Sequence, residues 1–169
     1  LAKTDENSYF AFMQQHLFSR ADFQSEHIHF LDGTAQNTAA ACSKYRSEIA
    51  CAGGIDVQLL GIGTNGHIGF NEPSAQFSDG PFLVHLAQST KNANGKYFHD
   101  RSMPDTALTM GIGDILRAKR LILIATGESK ANAVRAMVRG DVTPQCPASV
   151  LQTHGDVTVF LDAASASKL

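Results

Sequence analysis

Along residues 5–19, Tyr9, Phe12, Met13 and Leu17 recur at helical spacing, which predicts an amphipathic helix with acidic residues at its dipole-favoured start. Residues 27–31 (HIHFL) alternate polar and apolar as a strand does, and Asp32-Gly33 ends the run. Residues 35–51 are rich in alanine and carry Lys44, Arg46 and Glu48, a surface-helix pattern stopped by Gly53-Gly54. A strand is predicted at 56–60, irregular chain at 75–82, a short strand at 83–86 and a short helix at 90–98. Residues 107–110 are apolar and tolerate a strand; Gly111-Ile112-Gly113 then leads into a short helix with Asp114 near its start. The run 120–125 (RLILIA) is apolar throughout, as a buried parallel strand should be, and it passes through Thr126-Gly127-Glu128-Ser129 into a helix at 129–139. A helical turn at 148–152 and a last strand at 156–161 complete the pattern.

This order reads as one α/β domain over residues 1–169, with a mainly parallel, Rossmann-like open sheet flanked by helices. In such sheets ligands gather beyond the carboxyl ends of the strands. The loop at 61–73 and the turn at 126–130 both occupy that kind of position.

Composition narrows the classes of function. A chain of 169 residues that is 43% hydrophobic can bury one core. A net charge of −2, with acids and bases interspersed, offers no electrostatic case for nucleic acid or an anionic membrane as partner. No apolar run approaches the roughly 20 residues that span a bilayer, and no secretory signal opens the sequence. Cys42, Cys51 and Cys146 are odd in number and lack CxxC spacing, so neither a disulfide framework nor a zinc site is predicted, and a reducing, cytoplasmic setting is expected.

The candidate chemistry sits in the two loops. In "LLGIGTNGHIGFNEPS" (59–74), Gly61, Gly63 and Gly66 are expected to take positive φ and let the backbone approach a ligand. His67 follows, the one side chain there whose ordinary pKa of about 6.5 suits proton shuttling near neutrality. Glu72 could orient the ring and stabilise its protonated form, and Asn65 could bond the same ring or a substrate hydroxyl. The three glycines satisfy the bare GxGxxG pattern, but the residues after them do not open a helix, so a dinucleotide site is not predicted. Gly127-Glu128-Ser129-Lys130 is the better anion site, with backbone N–H groups and an ammonium where a strand runs into a helix. The histidines at 16, 27, 29, 85, 99 and 154 show no convincing ligand spacing; His27 and His29 share a face of the predicted strand and could chelate in principle.

The same loop, with "ANGKYF", "ALTMGIGDIL", "LILIATGESKANAV" and "PASVLQTHGDVTVFLD", resembles the glucosamine-6-phosphate deaminase (isomerase) family of bacterial type, in order along essentially all 169 residues. The resemblance implies a fold of the deaminase/phosphogluconolactonase kind and conversion of glucosamine 6-phosphate and water to fructose 6-phosphate and ammonia, without cofactor or metal. It implies His67 as the ring-opening proton shuttle, Glu72 as the partner that holds it, and Asn65 at a position that is Asp in some members. Lys130 and Lys96 would contact the phosphate, Lys96 replacing a usual arginine and losing its bidentate fork. Asp79-Gly80-Pro81 stands where regulated hexameric members have Ser-Arg-Thr, so that allosteric control is not expected, and oligomeric state is left open.

The resemblance also implies a Gly-rich phosphate loop and an aspartate enolisation base ahead of Leu1, so the sequence reads as N-terminally truncated and, alone, inactive or poorly stable. A 6-phosphogluconolactonase is the nearest rival, with Asn71-Glu72-Pro73 favouring the deaminase; galactosamine 6-phosphate is an alternative substrate. A non-catalytic sugar-phosphate sensor is the rival of another class, against which the His67/Glu72 pair stands.

Overall fold

The computed structural model describes residues 1–98 and 102–169; His99 lies outside them. Three strands, β1 (Val57–Leu60), β4 (Arg120–Ala125) and β5 (Val157–Leu161), pair in parallel in the order β1-β4-β5. A separate antiparallel ribbon joins β2 (Phe82–His85) to β3 (Thr106–Thr109). The helices are α1 (Tyr9–His16), α2 (Thr38–Cys51), α3 (Gln88–Asn94), α4 (Ile112–Leu116) and α5 (Ala131–Arg139). Turns of 3-10 type occupy Glu128–Lys130 before α5 and Pro147–Thr153 before β5. The predicted α/β class with a mainly parallel sheet is therefore observed.

The core forms on one face of the parallel sheet. Leu121 and Leu123 of β4 are fully buried beneath Val134 and Met137 of α5, Ile112 and Ile115 of α4, and Val150 and Leu151 of the 147–153 turn. Burying a side chain of this kind stabilises the fold by about 1.5–3 kcal/mol each. Gln152 fixes α5 against that turn by donating to the carbonyls of Met137 (2.8 Å) and Gly140 (2.9 Å), which the helix end leaves unpaired.

Local signals set the ends of the elements. Ser8 Oγ accepts from Ala11 N, so α1 starts at Tyr9, later than its periodicity suggests and with no acid in its first turn. Phe10, in contact with Phe18 and Phe30, turns inward on this helix, whereas Tyr9 and Phe12 of the predicted stripe are exposed. Asn37 caps α2 through Ala40 N in the same way. Gly53 and Gly54 follow α2 at φ 85° and 96°, the left-handed stop that the glycine pair predicts.

Two predictions fail. The 27–31 segment is not a strand: Ser25–His27 forms a 3-10 turn and the chain runs on irregularly. A strand needs a neighbour for its backbone groups, and Phe30 is drawn into the aromatic cluster of Phe10 and Phe18 instead. With the strand goes the possible His27/His29 chelate; His29 Nδ1 faces Glu48 Oε2 at 3.4 Å. β4, predicted to be buried throughout, is buried on one face only, with Ile124 47% exposed on the other.

Candidate functional site

β1 and β4 are parallel neighbours with Leu60 opposite Leu123, so the chain leaves both strands at the same end of the sheet. That register brings the 61–73 loop and the turn before α5 together, although they stand some 60 positions apart in sequence. Lys130 Nζ completes the join by donating to Ile62 O at 2.7 Å.

The loop is folded on itself before any ligand is considered. Gly63 N donates to His67 O (2.9 Å) and Gly66 N to Gly63 O (3.0 Å). Gly66 takes φ +85°, as expected, but Gly61 and Gly63 do not have positive φ. Gly63 is needed for a different reason: the His67 ring lies directly over it, and a Cβ there would come within 2.6 Å of Nε2. A Cβ on Gly66 would meet Cys146 Sγ at 2.7 Å.

Asn71, 3% exposed, anchors the far side of the loop. Its amide nitrogen donates to Ile68 O (3.0 Å) and Met110 O (2.8 Å), and its oxygen accepts from Ser78 Oγ (2.6 Å). Ser78 Oγ in turn accepts from Ile112 N at the start of α4 (3.0 Å). Every polar atom of the buried amide is matched, which is what burial of such a group demands.

Within this frame His67 Nδ1 faces Glu72 Oε2 at 3.4 Å, with the two side chains 18% and 9% exposed. Glu72 is tightly collared. Its Oε1 accepts from Thr90 Oγ1 (2.5 Å) and Ala87 N (3.3 Å), and its Oε2 from Asn65 Nδ2 (2.8 Å). Asn65 therefore bonds Glu72 rather than the imidazole; its oxygen accepts from the backbone N of His67 (3.2 Å) and its nitrogen also reaches Ser89 Oγ (3.4 Å). An amide suits this place because it offers an acceptor on one side and a donor on the other, where an aspartate would set a second carboxylate against Glu72.

Burial pulls the His67 pKa below its ordinary 6.5, Glu72 opposes that shift, and the Lys130 charge adds to it. A neutral imidazole results, ready to accept a proton near neutrality. Burial also lowers the pKa of Lys130 and raises that of Cys146.

The anion-site expectation is corrected in one respect. Gly127 N is already engaged by the Asp162 carboxylate (3.0 and 3.1 Å), so it offers no free donor to a ligand. Lys96 lies in the Gly95–Tyr97 turn with its ammonium 5.0 Å from the Tyr97 ring centroid, and it pairs with neither His67 nor Glu72. Gly63 and Gly66, expected to meet the substrate, lie against the His67 ring and Cys146 Sγ respectively. Thr90 and the Ala87 N–H are the partners that motif reading missed; the one sequence signal was an unassigned hydroxyl at the start of the predicted 90–98 helix.

Among the described residues, no three His, Cys, Asp or Glu side chains gather to hold a metal ion. Concavities of about 360 and 330 Å³ lie along α2, and neither is lined by His67, Glu72 or Lys130. The chemistry gathers at the loop, not in these hollows.

A family profile described as "Glucosamine-6-phosphate isomerases/6-phosphogluconolactonase" matches residues 1–160. The chain is 52% identical over 163 residues to glucosamine-6-phosphate deaminase of Rhodopirellula baltica, an alignment covering 96% of this chain and 65% of that protein. Among solved structures, a monomeric glucosamine-6-phosphate deaminase matches with a TM-score of 0.95 at 41% identity, over 100% of this chain and 70% of that one. The 6-phosphogluconolactonase from Trypanosoma cruzi matches over 100% of this chain and 69% of its own, with a TM-score of 0.77 at 20% identity, a likeness of fold alone. The chain spans about two-thirds of the length of the curated relatives it matches.

Proposed function

The chain belongs to the family of glucosamine-6-phosphate isomerases and 6-phosphogluconolactonases, and from that premise we propose that it carries the ring-opening part of a glucosamine-6-phosphate deaminase. The reaction converts glucosamine 6-phosphate and water to fructose 6-phosphate and ammonia. The observation that carries this reading is the neutral, half-buried imidazole of His67 set against a fully collared Glu72.

In the proposed mechanism His67 takes the proton of the C1 hydroxyl as the C1–O5 bond breaks, and returns it to O5. Ring opening then consumes no net proton, and Glu72 stabilises the transient imidazolium. Asn65 acts through Glu72, keeping its carboxylate turned towards the ring. Lys130, anchored on Ile62 O beside the loop, supplies positive charge for the sugar's phosphate. We assign no residue of this sequence, which spans about two-thirds of the length of its curated relatives, to the transfer between C2 and C1. A lactonase reading has weaker support, since those structures are alike at 20% identity while curated deaminases reach 52%. We also place the activity in the cytoplasm; no helix among the described residues is long and apolar enough to cross a membrane.

The test is ammonia release from glucosamine 6-phosphate by the full-length protein carrying this sequence, beside its His67→Gln variant. Release that falls by about 100-fold or more in the variant supports the reading, in the range expected for a lost acid–base group. A folded protein that releases no ammonia but hydrolyses 6-phosphogluconolactone overturns it.

A further inference from the structure

Among the described residues, Thr90 is the one hydroxyl in contact with both members of the His67–Glu72 pair, and the proposed reaction leaves it without a role. It is 2% exposed on α3, and its Oγ1 stands 2.5 Å from Glu72 Oε1 and 3.4 Å from His67 Nδ1. A hydroxyl has one proton and two lone pairs. The short bond to a carboxylate, which only accepts, commits that proton to Glu72. What Thr90 then turns towards the imidazole is a lone pair.

Glu72 Oε2 presents a second acceptor to the same ring nitrogen at 3.4 Å. Two acceptors converge on Nδ1, and a bare ring nitrogen there would meet lone pairs on both sides. Nδ1 must carry the hydrogen, which leaves Nε2 with the free lone pair. Resting on the deaminase reading, we propose that Thr90 is a positioning residue that locks neutral His67 in its Nδ1–H tautomer and so makes Nε2 the working base.

Thr90 suits this task because it is held within its helix, which grips Glu72 at a second point. Asn94 Nδ2 donates to its carbonyl at 2.9 Å, and Ala87 N, at the head of the same helix, donates to the oxygen of Glu72 that Thr90 binds. Helix α3 thereby grips one carboxylate oxygen and leaves the other, steadied by Asn65, for the imidazole. Glu72 alone would fix the ring less well, since a single acceptor at 3.4 Å is a loose contact.

The experiment is ¹⁵N–¹H correlation spectroscopy of the His67 ring in the full-length protein, with the Thr90→Val and Thr90→Ser variants and steady-state ammonia release measured alongside. The parent should show Nδ1 protonated and Nε2 bare at neutral pH. Thr90→Val should shift the ring towards the Nε2–H form and lower kcat by about 100-fold, the penalty for a misplaced catalytic group, with KM little changed. Thr90→Ser, which keeps the hydroxyl, should restore both.

A parent that shows the Nε2–H tautomer overturns the proposal, whether or not Thr90→Val folds. So does a folded Thr90→Val protein with the parental tautomer and parental kcat, which would leave Thr90 as packing for α3. If the parent shows the Nδ1–H tautomer but releases no ammonia, the deaminase reading fails while the assignment of the tautomer stands.

Discussion

Replacing Gly63 by alanine tests whether the imidazole works from the place the structure gives it. The new Cβ would stand 2.6 Å from His67 Nε2 and nearer still to Nδ1 and Cε1, where ordinary contact begins at 3.4 Å. The ring must therefore retreat by roughly 1 Å, and in doing so it leaves its 3.4 Å contacts with Glu72 and Thr90. A displacement of that size at a reacting group costs about 100-fold in rate, equivalent to roughly 2.7 kcal/mol of transition-state stabilisation. Stability should fall by about 1–3 kcal/mol, the cost of forcing a methyl against a packed ring.

The assay is kcat for ammonia release beside the midpoint of urea unfolding, with Gly61→Ala as control. A Cβ on Gly61 meets nothing within 4 Å, so that variant should stay within about twofold of the parent, the scatter of an innocuous substitution. A folded Gly63→Ala protein with parental kcat would refute the reasoning, for the ring would then not rest on Gly63 during turnover. An equal loss in Gly61→Ala would assign the effect to loop backbone and not to ring clearance.

Two further predictions concern stability. Because burial holds the His67 pKa below 6.5 in the folded state, the unfolded chain binds the proton first as pH falls. The contribution to stability is complete above about pH 6.5 and drains away as pH drops towards the lower folded value. His67→Gln should flatten this slope as pH falls below about 6.5 in urea titrations; identical slopes in parent and variant would contradict it. Asn71→Ala should destabilise by about 2–4 kcal/mol, since it strips partners from Ile68 O, Met110 O and Ser78 Oγ inside the fold. A loss below about 1 kcal/mol would mean that the amide is not the anchor of the loop.

Periodicity and punctuation marked most elements, because they are local properties of the chain. The RLILIA run gives β4 at its predicted limits, the 56–60 run gives β1, and Gly53-Gly54 stops α2 where the pair stands. The loop motif likewise pointed to His67 and Glu72, and the Gly127–Lys130 turn to Lys130, residue types whose chemistry is plain without coordinates. HIHFL misled because alternation over five residues says nothing of whether a neighbouring strand exists, and here the aromatic cluster of Phe10 and Phe18 claims Phe30.

What the sequence determined by itself was therefore the set of elements and the reactive groups between them. Which group serves which was decided only by tertiary structure. The parallel register of β1 and β4 sets Lys130 beside Ile62, and the seating of α3 against the loop puts Thr90 on Glu72. The same packing turns Asn65 from the imidazole to the carboxylate and makes Gly63 a floor for the ring. Hydrogen bonds are short and directional, so residues 18 positions apart acquire a shared role only when the fold brings their atoms within about 3 Å.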